Sequence, residues 1–358
     1  MINVTKTYLP NIEKYKEYID DIFESGWLTN NGQFVKKLEK RLKEYLGVKN
    51  LILVSNGTLA LQVAYRALGL KGEVLTTPFS FVATTSTLVW EGLKPKFVDI
   101  DSETLNMDYR RIEPLITDKT SAIVPVHVFG NACEVEEIHR IAEKNNLKVI
   151  YDAAHAFDVK YKGESLLNYG DISTISFHST KIFHTIEGGA IIVKDNELYE
   201  KIKLMINFGI SGPDRVECLG INTKMNEFQA AMGLCILDDM EGILENRRRV
   251  TGYYREYLPK GLQLQKHNEN CSENYAYFPV VFDSENTLLS VQEGLRENDI
   301  YARRYFYPSL DTLSYIKEPQ DVPISNSISK RILCLPIYDS LSESELSKII
   351  TILKEGIR

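Results

Sequence analysis

The spacing of apolar residues along the first part of the chain predicts alternating helices and strands. Apolar residues stand at every fourth position from Phe34 to Leu46, which predicts a helix over 33–46, and similar spacing predicts another over 11–25. The apolar run 51–54 is too short for a helix and predicts a buried strand. Apolar positions then return to helical spacing, so this part of the chain predicts strand, tight turn and helix.

The same alternation continues for about 140 further residues. It predicts helices over 80–91 and 134–146, and strands over 73–76, 95–98, 122–128, 147–151, 172–177 and 190–193. Strands that alternate with helices are typical of an α/β sheet with helices on both faces. We therefore predict an α/β fold with a mixed, mostly parallel sheet.

The pattern changes beyond Gly233. It predicts one long helix over 235–258, and then a strand over 275–282 and helices over 285–298 and 342–356. These elements indicate a smaller α+β unit at the end of the chain. We place the boundary near residue 240, which gives a large domain over 1–240 and a small C-terminal domain over 241–358.

Composition and charge exclude several classes of protein. Apolar residues make up 44% of the 358 residues and charged residues 25%, as in ordinary folded proteins. The formal net charge is −7, without the basic stripe that nucleic-acid binding requires. The five cysteines are dispersed, the N-terminus lacks a signal-peptide pattern, and no apolar run could span a bilayer. We expect a cytoplasmic protein without a nucleic-acid partner, membrane association or metal site.

Two candidate ligand contacts follow predicted strands, where α/β proteins bind their ligands. Asn56, Gly57 and Thr58 follow the strand over 51–54, and the free amides at the next helix start suit a phosphate, although an ordinary helix cap has the same sequence. Asp152 follows the strand over 147–151. Its carboxylate is either a partner for a protonated ligand nitrogen or a helix cap.

Two further candidates are an aromatic segment and a lysine. In the segment 79–84, an aromatic side chain at a strand end either stacks on a planar ligand or belongs to the core. Lys181 stands between the strand over 172–177 and the Gly188-Gly189 turn, among apolar neighbours. Burial there would lower the pKa of the amine and make it a nucleophile toward carbonyl carbon, whereas most lysines are solvated at the surface.

Together these features are what pyridoxal 5′-phosphate (PLP) requires of a protein. Their order resembles the DegT/StrS-type nucleotide-sugar aminotransferases, a group within the fold type I, aspartate-aminotransferase-like PLP enzymes. The resemblance is densest from Gly26 to Ala231, in stretches that begin at residues 26, 57, 77, 126, 152, 176, 187 and 222. Fold type I enzymes have a large PLP-binding domain and a smaller α+β C-terminal domain.

The resemblance implies a role for each matching residue. Lys181 would hold PLP covalently and act as the general acid and base, while Asp152 would hold the ring nitrogen and His155 would contact the ring hydroxyl. Phe81 would stack on the ring. The phosphate would be held by Gly57, Thr58 and Ser176, with Asn222 reaching it from the second subunit of a homodimer.

Two positions depart from the family pattern. Asn56 stands where the family commonly has Ser, which leaves only the backbone part of that phosphate contact supported. His184 stands where close relatives often have Asn, and both a catalytic role and a neutral packing role are open for it.

Within this family, the segments 27–32, 178–183 and 185–189 are most similar to enzymes that act on dTDP-4-keto-6-deoxy-D-glucose. The resemblance implies amination at carbon 4 with L-glutamate as the donor, in the synthesis of deoxyamino sugars for lipopolysaccharide O-antigen. Candidate substrate contacts are Asn31, Arg303, Tyr305 and Tyr307, although the segment 303–308 is also compatible with a packed edge strand.

Four other functions are alternatives to amination at carbon 4. Amination of a dTDP-3-keto-6-deoxyhexose at carbon 3 would use the same cofactor contacts. Related dehydratases replace the lysine with histidine, which Lys181 argues against. A non-catalytic regulatory or binding protein should have lost Lys181, Asp152 or the phosphate site, and an amino-acid aminotransferase would need an arginine that sequence alone cannot assign.

Overall fold

The computed structural model describes residues 1–357. Eleven α-helices lie within them, α1 to α11 in chain order: Ile12–Ser25, Gln33–Leu46, Gly57–Ala67, Val82–Trp90, Val135–Lys144, Asn196–Met205, Glu227–Asp238, Met240–Tyr257, Glu285–Glu297, Pro323–Arg331 and Glu343–Gly356. No helix in residues 1–357 is both long enough and apolar enough to cross a bilayer.

The strands, β1 to β16 in chain order, form one large sheet and several small ones. Their bounds are Ile2–Asn3, Leu51–Val54, Glu73–Thr76, Lys94–Phe97, Thr120–Val124, Lys148–Asp152, Lys160–Tyr161, Glu164–Ser165, Ile172–Ser176, Gly189–Val193, Ile210–Gly212, Arg215–Val216, Gln263–Leu264, Phe278–Val281, Ile300–Tyr301 and Ile332–Leu335.

The large sheet has seven strands in the order β2-β10-β9-β6-β5-β3-β4. Strand β10 runs antiparallel to both of its neighbours, and the other pairs are parallel. The mixed, mostly parallel sheet predicted from the sequence is therefore present. Because the parallel strands all end at one edge, the loops that follow β2, β3, β6 and β9 meet there.

Both faces of this sheet are covered by helices. In β2, Leu51 and Leu53 join the core cluster that contains the apolar side of α2, whereas Ile52 and Val54 join the cluster that contains α3. Successive side chains of a strand point to opposite faces, so the uninterrupted apolar run 51–54 is what a strand buried on both sides needs.

A smaller unit surrounds the three-stranded sheet β13-β14-β16. Apolar residues of α9 and α11 pack with this sheet in a separate core cluster. Strand β1 pairs in parallel with β15, so the first residues of the chain contribute to this unit as well. We propose residue 240 as the boundary of the large domain, with β1 contributed across it.

The structure differs from three of the predicted elements. The helix predicted over 235–258 is two helices, α7 and α8, which meet at Asp239, whose amide bonds the Ile236 carbonyl three residues back. Strand β5 ends at Val124, short of the predicted 128. The strand predicted over 275–282 begins only at Phe278. In the last two cases, the residues that were predicted as strand but lie outside β5 and β14 take their conformation from contacts near the cavity.

Candidate active site

The carboxyl edge of the large sheet and two segments of the small unit enclose a cavity of about 290 Å³. Every parallel-strand loop singled out from the sequence reaches it. Its wall comprises Asn56, Gly57, Thr58, Leu61, Ser80, Phe81, Ala83, Val126, Asp152, Ala154, His155, Thr174, Ile175, Ser176, His178, Thr180, Lys181, Glu187, Tyr277, Arg303, Tyr305 and Phe306.

The start of α3 has the features of a phosphate site. The Asn56 side chain caps the helix by accepting a hydrogen bond from the Leu59 amide at 2.8 Å. The Gly57 and Thr58 amides occupy the first two helical positions, where no intrahelical acceptor exists, beside the positive end of the helix dipole. A Cβ atom on Gly57 would lie 3.0 Å from the Ser176 Cβ, so glycine permits this close approach. The Asn56 side chain therefore caps α3, and the backbone amides remain the supported phosphate contact.

Asp152 ends β6 with its carboxylate buried and hydrogen-bonded. Thr84 Oγ1 donates to Asp152 Oδ2 at 2.8 Å, and the Ala154 amide donates to Oδ1 at 3.1 Å. Burial raises the pKa of this carboxyl, and the Thr84 and Ala154 hydrogen bonds and the charge of Lys181 oppose that rise. A carboxylate held this way suits a cationic partner in the cavity.

His155 is buried and held in one tautomer. Its Nδ1 accepts a hydrogen bond from the Phe129 amide at 3.2 Å, which leaves the proton on Nε2. Burial lowers the pKa of His155 well below its usual value, so the ring is neutral. Backbone pairing with β6 continues beyond β5 through a bridge between Val126 and Asp152. The chain then turns at Phe129, with φ of 59°, and presents its amide to the His155 ring.

Lys181 lies in the loop between β9 and β10 and lines the cavity. The loop is turned by a hydrogen bond from the Lys181 amide to the His178 carbonyl at 2.8 Å. Burial lowers the pKa of Lys181 to about 8, against the opposing charges of Asp152 and Tyr305. Lys181 Nζ lies 3.1 Å from Tyr277 Oη. Part of the amine is therefore neutral and nucleophilic near neutral pH.

The remaining predicted cofactor residues lie in two places. Phe81, at the start of α4, is 51% exposed and presents its ring to the cavity, and Ser176 lines the same wall. Asn222 is exposed and lies outside the cavity of its own chain. Its backbone pairs with that of Asn207. That position is compatible with the contact across a subunit interface that the resemblance implies.

The predicted substrate residues are divided between the cavity and its surroundings. Arg303 and Tyr305 both line the cavity, with the guanidinium 4.6 Å from the centre of the Tyr305 ring. The Tyr307 ring instead packs on Arg304 at 3.7 Å and does not form part of the cavity wall. Asn31, just before α2, is exposed and also lies outside the wall.

The contacts of His184 answer the question that the sequence left open. His184 is 1% exposed, its Nδ1 accepts a hydrogen bond from the Ile186 amide at 3.3 Å, and its Nε2 lies 2.8 Å from the Tyr8 carbonyl. Since Nδ1 is an acceptor, Nε2 donates, and the ring is neutral. His184 therefore ties the lysine loop to the N-terminal segment and does not face the cavity.

Sequence reasoning missed three groups at the site. Thr84 holds the Asp152 carboxylate, Tyr277 contacts the Lys181 amine, and His178 pairs with Glu187 at 3.4 Å on the cavity wall. The only signal for Thr84 was its helical spacing from Ser80, which contacts its hydroxyl at 2.8 Å. Tyr277 was assigned to a strand, so nothing in the sequence pointed to it. Residues 1–357 contain no cluster of three potential metal ligands.

Comparison with known proteins identifies relatives along nearly the whole chain. The profile of the DegT/DnrJ/EryC1/StrS aminotransferase family matches residues 11–354. The chain is 45% identical to the dTDP-4-amino-4,6-dideoxy-D-glucose transaminase of Shigella dysenteriae, over 99% of this chain and 98% of that protein. It is 42% identical to the Escherichia coli transaminase of the same name, over 98% of each chain.

A solved structure gives the same result for the fold. The crystal structure of DesI in the presence of its TDP-sugar product superimposes with a TM-score of 0.94 at 31% identity, covering 100% of this chain and 93% of that one. The predicted fold class and the prediction of an aminotransferase are confirmed. Lys181 and Asp152, of which a non-catalytic relative should have lost at least one, both line the cavity. The chain belongs to the DegT/DnrJ/EryC1/StrS aminotransferase family.

Proposed function

We propose that this enzyme uses PLP to transfer the amino group of L-glutamate to carbon 4 of dTDP-4-keto-6-deoxy-D-glucose. The products would be 2-oxoglutarate and dTDP-4-amino-4,6-dideoxy-D-glucose. The observation that carries the proposal is a lysine amine with a pKa of about 8 in the same cavity as a buried, hydrogen-bonded carboxylate. The two relatives named above, which match nearly the whole chain, support the substrate.

The residues present fit PLP at each of its functional groups. The α3 amides and Ser176 suit its phosphate, the Asp152 carboxylate suits a protonated ring nitrogen, and the Nε2 proton of His155 suits the ring hydroxyl. Phe81 can cover one face of the ring. When bound, PLP supplies an electron sink that stabilises negative charge on the carbon attached to the transferred nitrogen.

Lys181 and Asp152 have different tasks in this reaction. Lys181, when its amine is free, takes the proton from the α-carbon of the donor and delivers it elsewhere in the same cavity. Because the pKa of the amine is about 8, it can both accept and release a proton near neutral pH. Asp152 stays ionised beside a cationic partner, which offsets the effect of burial on its pKa. The neutral His155 would orient the ring hydroxyl of the cofactor without competing for the proton that Lys181 carries.

Both substrates are anions, and Arg303 is the guanidinium on the cavity wall. It is exposed and forms no ion pair among the described residues, so it is free to accept an anionic partner. A guanidinium can bind the carboxylates of glutamate or the diphosphate of the sugar nucleotide. We propose that Arg303 binds these groups and that Tyr305, which its guanidinium covers, lines the place of the sugar.

A product analysis tests the substrate. Purified enzyme would be incubated with L-glutamate and dTDP-4-keto-6-deoxy-D-glucose, and the product would be identified by mass spectrometry and NMR. We expect one amino sugar with nitrogen on carbon 4, whereas nitrogen on carbon 3 would establish the alternative 3-aminotransferase. The matching GDP-linked keto sugar belongs in the same experiment, because a 31% identical Escherichia coli O157:H7 relative is named GDP-perosamine synthase. Preference for the GDP sugar would contradict the proposed nucleotide.

We propose a homodimer with the active sites at the interface. The segment between α6 and α7 exposes the apolar side chains Phe208, Ile210, Val216, Leu219 and Ile221, with Leu219 exposed by 74%. Several exposed apolar side chains in one segment are typical of a surface that a partner covers. Asn222 directly follows this surface, which supports its assignment to the phosphate of the neighbouring subunit.

We place the product in the synthesis of cell-surface polysaccharide such as O-antigen, and the enzyme in the cytoplasm.

A further inference from the structure

Tyr277 brings a hydroxyl group from the small unit to the catalytic lysine. It stands one residue before β14, and its Oη lies 3.1 Å from Lys181 Nζ. The family resemblance assigned no role to Tyr277. The amine of Lys181 therefore has a hydrogen-bonding partner from the other side of the cavity.

Aromatic neighbours fix the direction of the Tyr277 ring. Its centre lies 4.6 Å from that of His155 and 5.3 Å from that of Phe129. Tyr305 meets it edge to face at 5.8 Å. A ring surrounded this way has little rotational freedom, so the position of its hydroxyl is set by packing.

The backbone before Tyr277 is anchored to both units. The Asn274 side-chain amide donates to the carbonyls of His155 at 2.8 Å and Phe157 at 2.9 Å. The buried Arg247 of α8 donates to the carbonyls of Tyr275 and Ala276, each at 3.3 Å. These contacts replace the strand hydrogen bonds predicted here. One segment thus fixes His155 and the Tyr277 hydroxyl together.

We propose that Tyr277 is a positioning residue that holds the Lys181 amine whenever this amine is not bonded to the cofactor. The inference rests on the proposed function. A phenol hydroxyl can donate to a neutral amine and accept from an ammonium group, so Tyr277 can hold Lys181 in both protonation states. It would thereby keep the amine at one place in the cavity.

The proton balance of the step leaves Tyr277 unchanged. Neutral Lys181 would take the proton of the donor α-carbon as the carbon–hydrogen bond breaks, and the bound cofactor would supply the sink for the electron pair. The Lys181 ammonium would then give up that same proton within the cavity. Burial raises the pKa of the Tyr277 hydroxyl well above its usual value, so Tyr277 keeps its own proton throughout.

The test uses the first half-reaction of the holoenzyme with L-glutamate alone. Stopped-flow absorbance would follow the disappearance of the visible band, with ordinary glutamate and with glutamate deuterated at the α-carbon. For Tyr277→Phe we expect the band to form, a rate lower by about 10- to 100-fold, and a larger deuterium effect, because a less ordered lysine makes proton transfer slower. The dissociation constant for L-glutamate, taken from the concentration dependence of the rate, should change little.

Two further variants separate positioning from packing. Tyr254→Phe removes another tyrosine hydroxyl of the small unit, which donates to the Pro336 carbonyl at 2.8 Å, and should lower the melting temperature without changing the deuterium effect. Tyr277→His restores a hydrogen-bonding group and should recover part of the rate that Tyr277→Phe loses.

A Tyr277→Phe enzyme with the wild-type rate and deuterium effect overturns the inference, as does a Tyr277→His enzyme no faster than Tyr277→Phe. A wild-type enzyme whose visible band glutamate does not change overturns the proposed function and this inference with it. The two failures are therefore distinguishable.

Discussion

At the scale of single residues, the site depends on two groups that burial affects in opposite ways. Burial lowers the pKa of the Lys181 amine to about 8 and raises the pKa of the Asp152 carboxyl. Each group also moderates the shift of the other through its charge. The cavity thereby contains a nucleophilic amine and a carboxyl that is readily ionised by a cationic partner.

Replacing Lys181 tests its role directly. We expect Lys181→Ala to lack the visible absorbance band of the lysine-bound cofactor and to lose at least about 10³-fold in turnover, because both the covalent attachment and the proton carrier are removed. Absorbance spectra and steady-state rates measure the two effects. Lys354→Ala, an exposed lysine of α11, is the matched control and should behave as wild type. Retained turnover in Lys181→Ala would contradict the assignment.

Thr84 sets the pH dependence through Asp152. The Thr84 hydrogen bond lowers the pKa of Asp152, so Thr84→Val should raise it further and make the carboxylate harder to form as the pH falls. We expect the acid limb of the pH profile of kcat/KM to move to higher pH by about one unit. Thr351→Val, which removes a surface hydroxyl that donates to Ser347, should leave the profile unchanged. An unmoved acid limb in Thr84→Val would show that Asp152 does not limit activity there.

The site residues that the sequence predicted on the large sheet share one property. Asp152 and Gly57 follow strands of the parallel sheet, and strand ends can be located from apolar runs. Tyr277 could not be located in this way, because the backbone before it is held by contacts between residues far apart in the chain. Asn274 bonds the carbonyls of His155 and Phe157, and Arg247 bonds the carbonyls of Tyr275 and Ala276. A contact between two units leaves no periodic signal in either of them.

At the scale of elements, a buried carboxylate joins α7 to the start of α2. Glu227 is 1% exposed, and its two carboxylate oxygens accept hydrogen bonds from the Phe34 amide at 2.8 Å and the Val35 amide at 2.9 Å. These amides belong to the first turn of α2, where the helix itself provides no acceptor and the dipole favours negative charge. Glu227 therefore acts as a cap for a helix remote in sequence.

We expect Glu227→Ala to lower the free energy of unfolding by about 2–4 kcal/mol, because it leaves two buried amides without acceptors. Glu227→Gln retains one carbonyl oxygen and should cost less. Urea unfolding at fixed protein concentration measures both changes. Glu137→Ala, whose partner Arg140 is exposed, should change stability by less than about 0.5 kcal/mol. A Glu227→Ala variant as stable as Glu137→Ala would contradict the cap.

Helix and strand bounds followed from the sequence where the apolar pattern has clear ends. The bounds of α2 and β2 match the predicted 33–46 and 51–54, because helical spacing determines the first and an uninterrupted apolar run determines the second. The break between α7 and α8 at Asp239 was missed. Nine of the twelve residues of α7 are buried, so its sequence has no polar face to show where the direction of the chain changes.

At the scale of the whole molecule, the cavity requires both units and, in our proposal, a second subunit. The large sheet supplies Asp152 and Lys181, whereas Tyr277, Arg303 and Tyr305 come from the small unit. Asn222 lies outside the cavity of its own chain. The sequence could indicate the sheet, but not this arrangement, since it depends on packing between segments far apart in the chain.

Leu219→Glu tests the dimer. A charge at this exposed apolar position should prevent association, because burying it unpaired is costly. We expect a monomer in size-exclusion chromatography with light scattering, together with weaker retention of the cofactor as the partner's phosphate contact is lost. Leu289→Glu, at a leucine of α9 that is 45% exposed, should leave the dimer intact. A Leu219→Glu dimer that retains cofactor would place the interface elsewhere.

The absorbance spectrum of the purified enzyme, recorded before and after addition of L-glutamate, tests the central claim most directly. We predict a visible band from the cofactor bound to Lys181, and its replacement by a near-ultraviolet band as the cofactor accepts the amino group. Subsequent addition of dTDP-4-keto-6-deoxy-D-glucose should restore the visible band. An enzyme that shows no visible band even after incubation with PLP, or a band that glutamate leaves unchanged, would contradict the account.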